Sequence, residues 1–141
     1  MTNNWREELA WAAGFFDGEG TVGGYWREGE NRIAFHLAVY QTERTTLDRF
    51  RAAVLGLGKV HGPHFRKDRK ASHKPSYQYN IGGHRKVQAV IAMLWPFLSQ
   101  PKKDQIKKAL QRLPLTPEQS RIQRGVTRRK NALRSHDLGG L

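Results

Sequence analysis

Two carboxylates stand two residues apart at the end of an apolar segment, in the run Ala12-Ala13-Gly14-Phe15-Phe16-Asp17-Gly18-Glu19-Gly20. Gly18 and Gly20 end the predicted helix, so Glu19 lies at its C-terminal end. Asp17 is predicted to bond nearby backbone. If two such helices pack together, two Glu19 carboxylates meet and repel each other unless cations lie between them. Hard oxygen ligands without cysteine favour Mg²⁺.

The predicted helix that carries these carboxylates covers residues 5–16 and is apolar on nearly all sides. A helix of this kind needs cover from its own domain and from a second body. Small residues recur every four positions along it and would let another helix approach closely. We therefore predict an interface between two copies of the chain, formed by these residues: Ala10, Trp11, Gly14, Phe15 and Gly18.

The periodicity of the remaining residues predicts one α+β domain. Strands are expected at residues 21–27, 32–41, 59–66 and 77–81, where apolar and polar residues alternate. Further helices are expected at residues 42–55, with Thr42 as N-cap, around 87–94 and at 102–113. The resulting order, α-β-β-α-β-β-α-α, is typical of helices packed on an antiparallel sheet.

Positive charge is concentrated in the second half of the chain. Residues 1–58 carry a net charge of −2, whereas residues 59–141 carry +15. This asymmetry indicates a polyanionic partner, with nucleic acid as the first candidate. Residues 1–114 are predicted to form the domain and residues 115–141 a basic extension, helical or disordered. We expect an intracellular protein without a membrane segment, because no apolar run or signal sequence is recognisable.

The run from Ala12 to Gly20 resembles the LAGLIDADG signature of homing endonucleases. The predicted element order resembles that family's αββαββα core over residues 5–113. The resemblance implies a saddle-shaped antiparallel sheet, here followed by a C-terminal helix and the basic tail. Because the signature occurs once, it also implies a half-enzyme that pairs as a homodimer to cleave double-stranded DNA with Mg²⁺.

The resemblance further implies roles for individual residues. Glu19 takes the position of the metal ligand, together with the backbone carbonyl of Gly18, although the signature more often has aspartate there. Gln41, at the end of the second strand, matches the family's polar residue that orders water near the metal. Lys102 matches a basic residue that stabilises developing phosphate charge. The sequence does not separate Lys102 from Lys103 in this role.

Strand alternation predicts a face of the sheet that reads DNA, because a two-stranded ribbon fits the major groove. The side chains expected to contact base edges are Thr21, Tyr25, Arg27, Arg32, His36, His61, Gln78 and Asn80. The basic residues expected to contact backbone phosphates are Arg66, Lys67, Arg69, Lys70 and Lys74.

Two other functions remain open at this point. A catalytically inactive protein of the same fold could bind intron RNA as a maturase, or DNA as a regulator. A small basic RNA-binding protein of the ribosomal kind would share the charge, but would leave the doubly apolar first helix and the acidic turn unexplained. A zinc site at His61 and His64 is not favoured, because two histidines without cysteine are too few ligands.

Overall fold

The computed structural model describes residues 4–27, 32–67 and 74–111, and the positions 125, 128, 129, 132 and 133, whose backbone is helical. The elements are α1 (Asn4–Glu19), β1 (Gly20–Arg27), β2 (Arg32–Gln41), α2 (Arg44–Ala53), β3 (Lys59–His64), β4 (Ser76–Gly82), α3 (His84–Leu94), a 3-10 turn (Trp95–Phe97) and α4 (Gln100–Gln111). The predicted α+β order is confirmed. Within the described ranges, no helix is long and apolar enough to cross a membrane.

The four strands form one antiparallel sheet in the order β1-β2-β4-β3. Gly20 pairs with Val39 where β1 begins, and the β1–β2 hairpin keeps its register throughout. In the centre of the sheet, β2 pairs with β4. The edge strand β3 pairs with β4, with a register shift between His61 and His64.

The core lies between the helices and one face of this sheet. The alternation of β2 is confirmed there, because Phe35, Leu37 and Val39 are all buried. Aromatic rings join the layers: the Phe50 ring lies 6.1 Å from that of Phe16 and 4.9 Å from that of Tyr79. Burying each such side chain stabilises the fold by roughly 1.5–3 kcal/mol, which fixes α1 and α2 against the sheet.

Two local predictions are wrong. Thr42 is not the N-cap of α2, because that helix begins at Arg44 and Glu43 holds the cap position without a side-chain bond. The third strand ends at His64 rather than at residue 66. Proline cannot donate a ladder hydrogen bond, and Pro63 lies within the irregular part of the β3–β4 pairing. Helix α1 ends at Glu19, directly before Gly20, so the predicted position of Glu19 at the C-terminal end of the helix is confirmed.

Candidate active site and nucleic-acid interface

Glu19 is the last residue of α1, and its side chain is exposed. The chain passes directly into β1, which begins at Gly20. A Cβ atom at position 20 would collide with the Phe16 ring. Position 20 therefore has to be glycine, because β1 begins in contact with the buried Phe16 ring. This close contact also fixes the position of Glu19 between α1 and β1.

Lys102, a residue of α4, stabilises this α1–β1 junction. Its side chain is 92% covered, with 8% exposed, and its ammonium donates a hydrogen bond to the carbonyl oxygen of Gly20 at 2.7 Å. The same ammonium lies 5.3 Å from the centre of the Phe16 ring. A buried charge needs such partners, and here they place a cation one residue from Glu19. By contrast, the ammonium of Lys103 lies 5.4 Å from the Trp95 ring.

Asp17, two residues before Glu19, stabilises the junction through Ser99. The Ser99 backbone N–H donates to both carboxylate oxygens of Asp17 at 3.1 Å, and the Ser99 hydroxyl donates to one of them at 3.0 Å. The predicted bond to nearby backbone is thus wrong, since the partner lies 82 residues away. The negative charge, unfavourable at the end of α1, is stabilised because it lies at the start of α4.

Ser99 is a residue of the site that the sequence prediction missed. It stands immediately before α4, and serine at that position is favoured as a helix cap, which could have drawn attention to it. Its hydroxyl also accepts a weak bond from the Lys102 backbone N–H at 3.5 Å. The first turn of α4 therefore holds residues on both sides of Glu19.

Gln41 lies at the same end of the sheet as Glu19. It is the last residue of β2, two positions beyond Val39, which pairs with Gly20. Its side chain is half-buried. By strand alternation it shares the helix-facing side of β2 with Val39. The structure thus brings Gln41 towards the end of α1, as its predicted role requires, while the role itself stays a prediction.

The sheet face opposite the helices forms a groove of about 400 Å³. Five of the side chains predicted to contact bases line it together: Thr21, His36, His61, Gln78 and Asn80. They form rows across the sheet, because Gln78 lies opposite His61 and Tyr40, and Asn80 lies opposite Lys59 and Ala38. Ala38 lies on the same face but is only 3% exposed, because larger side chains surround it.

Two further side chains in the groove were not predicted. Tyr40, which is 52% exposed, and Lys59 both line it. Alternation could have found them, since Tyr40 shares the face of His36 and Lys59 that of His61. The side chains of Tyr25, Arg27 and Arg32 lie outside the described parts of the chain, and so do residues Arg69 and Lys70. The remaining predicted phosphate contacts are exposed: Arg66, Lys67 and Lys74.

His36 lies in the middle of the groove between two glycines. Gly23 on β1 and Gly82 on β4 are its register partners. A Cβ atom at Gly23 would lie 3.1 Å from the imidazole, so the missing side chain leaves room for the ring. Burial lowers the pKa of His36, which favours the neutral form, with one ring nitrogen as donor and the other as acceptor.

The stripe of small residues on α1 is open. Ala10, Gly14 and Gly18 are exposed, and a Cβ atom at either glycine would meet no other atom of the chain within 4 Å. Trp11 and Phe15 are half-buried instead, because α2 covers them in part. The Arg49 guanidinium lies 3.8 Å above the Trp11 ring, and the Phe15 ring lies 6.0 Å from that of Phe50.

The α1–β1 junction of one chain offers few ligands for a metal ion. Across residues 4–27, 32–67 and 74–111, no group of three His, Cys, Asp or Glu side chains could hold an ion. Asp17 is engaged by Ser99, so Glu19 is the carboxylate that the junction offers to a ligand. Carboxylate and carbonyl oxygens suit a hard divalent cation, so a cation bound here would need further ligands from another copy, a substrate or water.

Solved structures resemble this chain, although no protein-family model and no curated protein matches it. The homing endonuclease I-CvuI, in complex with its target in the presence of calcium, is 25% identical with a TM-score of 0.62. A second I-CvuI structure, with the uncleaved I-CreI target and magnesium, is 26% identical with the same TM-score. Both alignments cover 78% of this chain and 68% of I-CvuI.

The DNA complex of the archaeal intron-encoded homing endonuclease I-Vdi141I shows the same fold. It has a TM-score of 0.50 at 17% identity, over 64% of this chain and 55% of its own. The αββαββα core with an exposed acid at the end of α1 thus has the fold of a DNA endonuclease. The chain has the fold of the LAGLIDADG homing endonucleases, and the run that resembles their signature occurs in it once.

Proposed function

We propose that this chain is a site-specific endonuclease that makes a double-strand break in duplex DNA, by metal-dependent phosphodiester hydrolysis, as a homodimer. The observation that carries the proposal is the position of Glu19. It is exposed at the end of an open small-residue stripe and immediately precedes β1, whose Thr21 lines the groove. The same place would therefore receive a second copy of the helix, a cation and a DNA backbone.

The dimer is supported by the open face of α1. Helix axes approach as closely as the side chains between them allow, and Ala10, Gly14 and Gly18 leave that face nearly bare. Packing two copies along this stripe brings the two Glu19 carboxylates near the two-fold axis. A C2 interface uses the same patch on both partners, so each copy would contribute half of one site.

Magnesium fits the donors that such a pair would supply. Glu19 from each copy, with the Gly18 backbone carbonyl, would hold it, and these are the hard oxygen ligands that Mg²⁺ prefers. When bound, a divalent ion supplies Lewis-acid stabilisation of charge on phosphate oxygens. The chain's own contribution is to hold Glu19 still, which Lys102 and Asp17 do through their bonds to Gly20 and Ser99.

We assign two supporting roles within the same site. Lys102 places a positive charge beside the junction, where it stabilises negative charge that develops on the phosphate. Its bond to Gly20 also makes it a positioning residue. Gln41 orients water at the end of β2. The groove side chains read base edges, and the basic β3–β4 segment, which includes Arg66, contacts phosphates.

Cleavage of random-sequence and genomic duplexes tests this function, in Mg²⁺, in Ca²⁺ and with a chelator, alongside sedimentation equilibrium of the same sample. We expect a dimer and double-strand cleavage that requires a divalent ion. Tight duplex binding without cleavage in any divalent ion would instead support a DNA-binding regulator. Selective binding of structured RNA over duplex DNA would support an intron RNA maturase. Cleavage by a monomer would contradict the shared site.

A further inference from the structure

A second pocket, here called the flanking pocket, lies beside the groove and is continuous with it. Its volume is about 280 Å³, and it lies between the turn at residues 56–58 and the first turn of α3. Lys59, Asn80 and Gly82 line both the groove and the flanking pocket. A ligand that fills the groove along its length therefore meets this pocket at the β3–β4 side of the sheet.

The flanking pocket is cationic. Lys59 on β3 and Lys86 on α3 line it, and both are exposed. Arg85, the neighbour of Lys86 on the first turn of α3, is exposed but does not line the pocket, and that turn contains no acidic residue. Positive side chains on two separate elements thus line one space that is large enough for a phosphate group.

The turn that forms the wall of this pocket is fixed in a conformation that suits an anion. The Tyr79 hydroxyl donates to the Leu57 carbonyl oxygen at 2.7 Å, and the Arg51 guanidinium donates to the Gly58 carbonyl oxygen at 2.9 Å. Two carbonyl oxygens that would otherwise repel an anion are therefore already engaged. Gly58 has a φ of 87°, and a Cβ atom there would lie 2.5 Å from the Tyr79 hydroxyl.

We propose that the flanking pocket binds a backbone phosphate of the duplex that occupies the groove, held by Lys59 and Lys86. This inference rests on the proposed function and extends it, because it adds a contact that carries no base information. The ligand class follows from charge complementarity and from continuity with the groove. DNA presents closely spaced phosphates on both strands, so a duplex that lies in the groove brings one to its edge. In a symmetric dimer the pocket occurs twice.

Lys86→Ala tests the inference, because Lys86 lines the flanking pocket but not the groove. The matched control is Lys108→Ala, an exposed lysine on α4 that lines neither. Binding to matched and mismatched duplexes is measured over a series of salt concentrations. For Lys86→Ala we expect the slope of log affinity against log salt to fall by roughly one to two units for the dimer. Matched and mismatched duplexes should weaken by the same factor.

Phosphate-ethylation interference on the wild-type chain locates the contact. One position in each half-site should lose its interference in Lys86→Ala and keep it in Lys108→Ala. A Lys86→Ala slope equal to that of the control would overturn the inference alone. A loss confined to one base pair would also overturn it, since Lys86 would then read a base. If the wild-type chain binds no duplex, the proposed function fails and this inference fails with it.

Discussion

The α1–β1 junction and the groove hold their polar side chains in different ways. At the junction, Asp17 and Gly20 on either side of Glu19 bond to Ser99 and Lys102, which are 82 residues away in the chain. In the groove, side chains such as Gln78 lie on a sheet face open to solvent. Cleavage needs a fixed geometry, whereas base reading needs donors and acceptors that are still available to a ligand. The fold supplies both on one sheet.

The largest effect is expected at the junction. Glu19→Gln keeps the size of the side chain but removes its charge, so metal affinity is lost. We expect cleavage to fall by roughly a hundredfold or more, while dimerisation and duplex affinity stay close to wild type. Plasmid cleavage in Mg²⁺ and gel-shift binding measure the two. Glu7→Gln, an exposed carboxylate on the first turn of the same helix, is the matched control. Equal cleavage by the two variants would refute the role of Glu19.

The second largest effect is expected at the proposed dimer interface, where the α1–β1 junctions of two copies of the chain would meet. Gly14→Leu adds bulk in the middle of the open stripe, where the chain itself would accommodate it. If a second α1 packs there, the helices separate and the Glu19 carboxylates move apart. A displacement of about 1 Å can cost on the order of a hundredfold in rate. We expect a weaker dimer by sedimentation equilibrium and a matching loss of cleavage.

The control for that change is Ala89→Leu, an equivalent increase in bulk at an exposed position of α3. It should leave both dimer affinity and cleavage unchanged. A Gly14→Leu dimer of normal affinity and normal activity would place the interface elsewhere, and the paired carboxylates would lose their geometric basis.

A smaller effect is expected at Ser99, which positions the site through Asp17 and does not itself take part in the reaction. Ser99→Ala removes the hydroxyl bond to Asp17 and leaves the backbone N–H bond in place. One exposed hydrogen bond to a charged group contributes on the order of 1 kcal/mol, so the fold should survive. A loss of about 1.4 kcal/mol of transition-state stabilisation corresponds to a fall in kcat of about tenfold, which we expect here with KM and duplex affinity unchanged. Ser99→Thr, which keeps the hydroxyl, should restore kcat. Equal losses in both variants would show that the hydroxyl does not position the site.

The smallest effect is expected for the basic residues that lie in the chain between β3 and β4. Replacing Lys67 and Lys70 by alanine should weaken binding to all duplexes about equally, because phosphate contacts carry no sequence information. The salt slope of binding should fall by roughly one to two units. The double variant of Lys107 and Lys108, both exposed on α4, provides the comparison. A change confined to one base position would make these lysines base readers.

The local parts of this structure could be predicted from the sequence. Strand β2 alternates so regularly that its bounds and its buried face follow from the residues alone. The small-residue stripe and the acid at the helix end could be identified in the same way, because each depends on neighbours within one turn. The position of His36 and Gln78 in one groove followed from alternation on two strands.

The contacts between distant residues could not be predicted. Nothing in the run Asp17-Gly18-Glu19 shows that Ser99 binds the first carboxylate, since that bond depends on how α4 packs against α1. Lys102 and Lys103 are indistinguishable in sequence, and only the packed helix shows that Lys102 is the buried one. The predicted N-cap at Thr42 is wrong because two residues, Thr42 and Glu43, connect the end of β2 to the start of α2 at Arg44.

Sequencing of the products that the wild-type chain cuts from a randomised duplex library in Mg²⁺ tests the shared site most directly. Two identical grooves related by a two-fold axis must read two inverted half-sites, with the break between them, where the Glu19 pair lies. We therefore predict double-strand breaks at the centre of a site with inverted-repeat symmetry, and a reduction of these breaks by roughly a hundredfold or more in Glu19→Gln. Breaks in a site without such symmetry, or breaks at the wild-type level in Glu19→Gln, would contradict the shared site.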